Sequence, residues 1–186
     1  MRILFLIFIS FNISAGLVIE PYAGFNFGKF ESTISNEDYK YNTTGITFGS
    51  RVGYSVLYFV AGVDMSFGSM DATVSSGPIG TTSEEYDTSS FGLYAGVNFP
   101  ILMRGWVTYY LNSSYENRAK EELNGSGFGI GLGFTPLPLL SLNIETKFIK
   151  VNEIDSNSGT IKLPNSNRAE DSINEILLSV SLPFEL

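Results

Sequence analysis

The feature that most constrains this chain is a strict two-residue alternation, clearest over Gly45 to Phe67. Ile46, Phe48, Val52 and Tyr54 fall on one side of an extended chain, with Gly45, Thr47, Gly49, Arg51 and Gly53 on the other. After a turn expected near Ser55 and Val56 the pattern resumes. Phe59, Ala61, Val63, Met65 and Phe67 share one face, opposite Gly62, Asp64, Ser66 and Gly68. Successive side chains of a β-strand point to opposite faces, whereas a helix groups residues three and four apart. Each arm has the length, about 9–11 residues, at which a tilted strand crosses a bilayer.

The same alternation runs through the rest of the chain. In the first strand Leu17, Ile19, Ala23, Phe25 and Phe27 oppose Glu20, Tyr22, Gly24, Asn26 and Gly28. In the fourth, Phe91, Leu93, Ala95, Val97 and Phe99 oppose Gly92, Tyr94, Gly96 and Asn98. The fifth, Met103 to Asn112, is apolar on both faces. An Arg aimed at the bilayer midplane costs about 2–4 kcal/mol, so Met103, Val107, Tyr109 and Leu111 are placed outward and Arg104 inward. Phe128, Ile130, Leu132 and Phe134 then alternate with Gly127, Gly129, Gly131 and Gly133. Leu140, Leu142, Ile144, Thr146 and Phe148 alternate with Ser141, Asn143, Glu145 and Lys147. The last strand puts Ile176, Leu178, Val180, Leu182 and Phe184 outward, and Glu175, Ser179 and Ser181 inward.

Short turns alternate with four polar stretches expected as long loops: Glu31–Asn42, Ser69–Thr88, Ser113–Asn124 and Glu153–Asp171. Proline cannot donate to a sheet ladder. Pro78 and Pro164 fall in those loops, and Pro100, Pro136 and Pro138 at short turns. Pro21 and Pro183 lie at the outer limits of the first and last strands, which become neighbours if the sheet closes. The pattern predicts an all-β fold, an eight-stranded antiparallel up-and-down transmembrane barrel with both termini on the short-turn side.

Composition agrees. Only 16% of residues are charged, against about a quarter in soluble domains, and no apolar run reaches the roughly 18 residues of a membrane helix. The start reads as a cleavable secretory signal over residues 1–15, leaving residues 16–186 as the barrel. Arg2 leads it, Ile3 to Ile9 form its apolar core, and Ser14-Ala15 supply small residues before Gly16. Ile13 is bulky for such a site, so the position of the cut stays open; the other reading of this stretch is a first strand or a short anchor. Cysteine and histidine are both absent, which removes thiol nucleophiles, disulfides and zinc-thiolate sites. A net charge of −8 disfavours nucleic acid as a partner.

With eight alternating strands, short turns on one side and polar loops on the other, the chain resembles the small outer-membrane proteins of the OmpA-barrel, OmpX and OmpW kind. The resemblance rests on architecture over the whole mature chain. It implies residence in the cell outer membrane with short periplasmic turns and long extracellular loops, contact with outer-membrane lipid and lipopolysaccharide, and insertion by the outer-membrane assembly machinery. In that group the last strand usually ends in an aromatic; here Phe184 stands two residues before the terminal Leu186.

The inward positions collect Glu20, Arg51, Asp64, Arg104, Glu145, Lys147 and Glu175. Strand counting places Glu20, Arg51 and Arg104 in a lower layer and the other four in an upper one. An eight-stranded barrel is narrow enough to be filled by side chains, and isolated buried charges are costly. A salt-bridged plug is therefore expected; the functional alternative is a gated ion path. The Gly127–Gly133 alternation lacks the following helix and Lys-Ser/Thr pair of a phosphate loop, so it is read as space for inward Tyr94, Trp106 and Tyr110. The acidic run Glu84, Glu85, Asp87 lacks a calcium-loop pattern, leaving an unspecified loop ligand as a possibility. No cofactor, metal site or catalytic residue is expected. The expected role is non-enzymatic, in envelope integrity or surface interaction through the loops. The alternatives are a narrow pore or port for ions or small apolar molecules, an outer-membrane enzyme, and a soluble carrier with its apolar faces turned inward. Acyltransferases and proteases of this architecture use histidine, and its absence weighs against the enzyme.

Overall fold

The computed structural model describes residues 15–34, 37–76, 83–137, 139–156, 159–163 and 171–186. The expected leader lies outside these residues except for Ala15, as do Pro78, Pro138 and Pro164. The chain forms β1 (Ala15–Ile34), β2 (Glu37–Val56), β3 (Phe59–Ser76), β4 (Ser83–Asn98) and β5 (Met103–Asn117). It continues with β6 (Glu122–Leu137), β7 (Leu140–Ser156), β8 (Gly159–Lys162), β9 (Asp171–Ser181) and β10 (Phe184–Glu185). Consecutive strands pair antiparallel from β1 to β7, and β9 pairs with both β7 and β1. The sheet thus closes on itself as eight strands, with β8 a short hairpin on the end of β7 and β10 a continuation of β9 along β1. At the seam Leu182 N–H donates to the carbonyl of Pro21 at 3.0 Å. Pro21 and Pro183 therefore share one rim, where each missing N–H interrupts the ladder least.

The phase of every barrel strand follows from which face can lie against hydrocarbon. Phe48, Leu132 and Leu178 are 48%, 53% and 46% exposed, while Glu20, Arg51 and Asp64 are fully buried. Apolar side chains thus face outward and polar ones face the axis, the reverse of a soluble carrier. On β5 Arg104 and Trp106 are buried and Met103, Val107, Tyr109 and Leu111 exposed. A bulge at Leu111 and Asn112 accommodates the change of register there. Replacing Leu132 by Arg should cost about 2–4 kcal/mol of barrel stability. Asp71→Arg, at an exposed position beyond the belt, should cost almost nothing when both variants are unfolded in urea and compared with the parent protein.

Two expectations are corrected. The β2–β3 turn is Leu57-Tyr58, two residues beyond the expected place, because Ser55 still points inward and Val56 still pairs with Phe59. The described residues of the four stretches expected as loops are largely strand. The sheet runs on to Ile34, Ser76, Asn117 and Ser156 and resumes at Glu37, Ser83, Glu122 and Gly159, with β9 entering at Asp171. The physical reason is a second core. Beyond the exposed apolar belt, Phe30, Met70, Ala72, Tyr86, Tyr115, Leu123, Ile149, Val151, Ile154 and Ile173 point into the barrel and pack together with Tyr110. There the alternation persists with its polarity reversed, apolar inside and polar outside, as water on the outer face requires. Ten residues predicted as crossing length thus become strands of 15–20 residues in β1 to β7.

Candidate functional site

Within the belt the barrel axis is occupied by an ionic network centred on Arg51. Its Nε donates to Asp64 Oδ2 at 2.8 Å, Nη2 to Glu145 Oε2 at 2.7 Å, and Nη1 to Glu20 Oε1 at 3.5 Å. Arg104 Nη2 donates to the other oxygen of Glu20. The register explains the convergence: Arg51 lies between Glu20 on β1 and Asp64 on β3 as their direct cross-strand partner. Glu145 reaches it from β7, across the axis.

Aromatic side chains complete the network. Tyr22 O–H donates to Asp64 at 2.8 Å, Tyr110 O–H to Glu145 at 2.5 Å, and Trp106 Nε1–H to Glu145 at 3.1 Å. The Arg51 guanidinium sits 4.7 Å from the Tyr22 ring centroid and 4.3 Å from that of Trp106; Arg104 lies 5.0 Å from Trp106. Arg fits because its planar fork serves several carboxylates while its faces stack on rings. These phenol and indole donors are legible in the sequence only as bulky inward aromatics. Their signal is an amphipathic ring opposite glycine, since a Cβ on Gly131 would lie 2.1 Å from Trp106 Cε2 and one on Gly49 2.3 Å from Tyr22 Cζ.

The structure brings five of the seven predicted interior charges, Glu20, Arg51, Asp64, Arg104 and Glu145, into one network rather than two layers, because Arg51 spans the levels. Lys147 and Glu175 make no close ion pair with these five. They oppose each other in the β7–β9 register, yet the Lys147 ammonium lies 4.8 Å from the Tyr110 ring centroid. Glu175 Oε1 is buried without a hydrogen-bond partner. Among the described residues no three His, Cys, Asp or Glu side chains converge as a metal site.

The two ends differ. At the turn end a cavity of about 410 Å³ is lined by Val18, Val60, Leu102 and Phe184, with Glu20 and Arg104 also in its wall. At the other end the apolar core closes the axis. Outside it, Glu84 accepts from Tyr86 O–H at 2.7 Å. Burial first, then the Glu84 carboxylate, pushes the Tyr86 phenol up. Arg118 pairs with Glu85, and Lys120 with Glu116 at 3.0 Å, which raises the Lys120 ammonium.

No family model matches the sequence, and no curated protein does. Solved structures match over nearly the whole fold. Neisserial surface protein A is 13% identical, with a TM-score of 0.50, 92% of this chain covered and 99% of that one. Ail, the attachment invasion locus protein of Yersinia pestis, crystallised with the heparin analogue sucrose octasulfate, is 12% identical at TM-score 0.52, covering 91% and 99%. The outer membrane protein OprG from Pseudomonas aeruginosa is 9% identical at TM-score 0.53, covering 94% and 98%. The chain has the fold of the small eight-stranded outer-membrane β-barrels.

Proposed function

We propose that this is a non-enzymatic protein of the bacterial outer membrane, exported by a cleavable leader over residues 1–15 and closed to solutes along its axis. On this reading it acts through the strands and loops that project beyond the membrane. The observation that carries the closed interior is Arg51. It is fully buried, held by three carboxylates and flanked by two rings, with the apolar core stacked beyond it. A water-filled pore would leave such a side chain accessible. Glu20, Arg51, Asp64, Arg104 and Glu145 are then a register-fixing plug rather than a path, and Lys147, seated over the Tyr110 ring, and Glu175 add no continuous charged lane.

The absence of histidine and cysteine supports the non-enzymatic reading, because the interior carboxylates are tied to guanidinium, phenol or indole donors or sealed from substrate. The projecting end is acidic, with Asp71, Glu84, Glu85, Asp87, Glu116, Glu121 and Glu122 outnumbering Arg118 and Lys120 on the β3–β6 side. Such a surface favours neutral or cationic partners and repels polyanions, unlike the ligand held by Ail. Reconstituted into planar bilayers, the refolded protein should show no discrete channel openings. Stable single-channel steps in salt would overturn the closed reading in favour of a pore.

A further inference from the structure

The turn end carries an unusual surface. Leu57 is 42% exposed, Tyr58 40%, Ile101 67%, Leu102 55%, Leu137 58% and Leu139 54%, and no described residue of these three turns is charged. Two of them also stand in a conformation that L side chains disfavour, Leu57 at φ 59° and Leu102 at φ 62°. Gly, Asn or Asp meets that geometry at lower cost and suits water. Leucine there is explicable when the apolar side chain itself has something apolar to meet.

The length of the belt says what that is. Its outer boundary is marked by Phe67, Phe91 and Phe148, beyond which outward positions turn polar at Ser69, Ser89 and Lys150. From each of these aromatics the chain makes eight steps towards the turns, to Phe59, Phe99 and Leu140. At about 3.3 Å per residue and a tilt of about 40°, eight steps span roughly 20 Å, short of the apolar band of about 25 Å that such barrels present. The turns supply the difference.

We infer that the turn end is a lipid-docking surface: the three turns sit within the periplasmic leaflet of the outer membrane, against phospholipid acyl chains and glycerol groups. The inference rests on the membrane reading above. The occupant follows from continuity, since the apolar turns prolong the lipid-facing belt without a polar girdle between them. The cavity framed by Leu102, Phe184 and Arg104 then opens into the lipid headgroup layer rather than into free periplasm.

The chain has no cysteine, so single-cysteine variants report one site each. Ile101→Cys and Leu139→Cys probe the turns, Leu132→Cys the belt, and Asp71→Cys the projecting end. Each is labelled with an environment-sensitive fluorophore and reconstituted in phosphatidylethanolamine–phosphatidylglycerol vesicles containing brominated phospholipid, after heat-modifiable migration has confirmed folding. Fluorescence loss at Ile101 and Leu139 is expected to approach that at Leu132, with none at Asp71. If Leu132 is quenched but both turn labels behave like Asp71, the inference fails and the membrane reading stands. Absence of quenching at Leu132 as well overturns both. Turn signals that depend on protein-to-lipid ratio instead of bromine depth identify a second copy as the occupant, and the lipid assignment is lost.

Discussion

Replacing Arg51 by methionine will lower the stability of the barrel by about 3–5 kcal/mol, the cost of removing one partner from a buried charge cluster. The magnitude comes from what stays behind. Asp64 and Glu145 each keep a phenol donor, Tyr22 and Tyr110, but the three carboxylates are left with Arg104 as the one guanidinium paired in the network and the Lys147 ammonium as a more distant cation. Equilibrium unfolding in urea, followed by circular dichroism of the reconstituted protein, reads the shift. The companion test is Arg51→Met combined with Asp64→Asn and Glu145→Gln, which removes two of the stranded charges and should recover most of the loss. Arg51→Lys should fall between, since an ammonium cannot serve three carboxylates along a planar fork or stack on two rings. A loss below about 1 kcal/mol for Arg51→Met, the size typical of solvated ion pairs, would show that water reaches the site. That result would also count against the closed interior.

The second large effect concerns space rather than charge. Gly131→Val should destabilise by about 1–3 kcal/mol or more, or prevent insertion outright, because added methyl groups in a filled interior force rings off their rotamers. The nearest heavy atom to a Cβ there is Trp106 Cε2 at 2.1 Å, a rigid bicycle held by its hydrogen bond to Glu145 and by two guanidiniums. Trp106→Leu should partly rescue Gly131→Val, and a double-mutant cycle would show strong coupling between the positions. Gly105→Ala is the control. The nearest atom to its Cβ would be Leu132 Cδ2 at an ordinary 3.5 Å, so near-neutral behaviour is expected. Equal damage from both substitutions would mean that glycine serves backbone strain generally, and the ring-accommodating role would be abandoned.

These two residues show the two kinds of information that determine the interior. Gly131 and its alternating neighbours are visible as a pattern, and the need for inward bulk opposite them follows from the narrowness of the barrel. Which ring each glycine admits depends on the shear between β5 and β6, a property of the closed sheet and not of either strand. The same holds for the charges. Strand counting assigns Glu20 and Glu145 to different levels, yet Arg51 binds both, because its side chain is long enough to reach along and across the axis.

The alternation alone determined the number of strands, their direction and which side of each meets lipid, because a period of two leaves only two phases and a bilayer accepts only one of them. It did not mark where the membrane ends. Above the belt the apolar positions of Phe30, Met70, Ile149 and Ile173 change sides without interrupting the two-residue period. The described parts of the polar stretches that read as loops are therefore largely strands around a second core. Only the closed sheet decided this: alternation with outward Phe148 already turns Ile149 inward, but that it meets Phe30, Met70 and Ile173 in a packed core, with water rather than lipid outside its strand, depends on the height at which that strand leaves the bilayer.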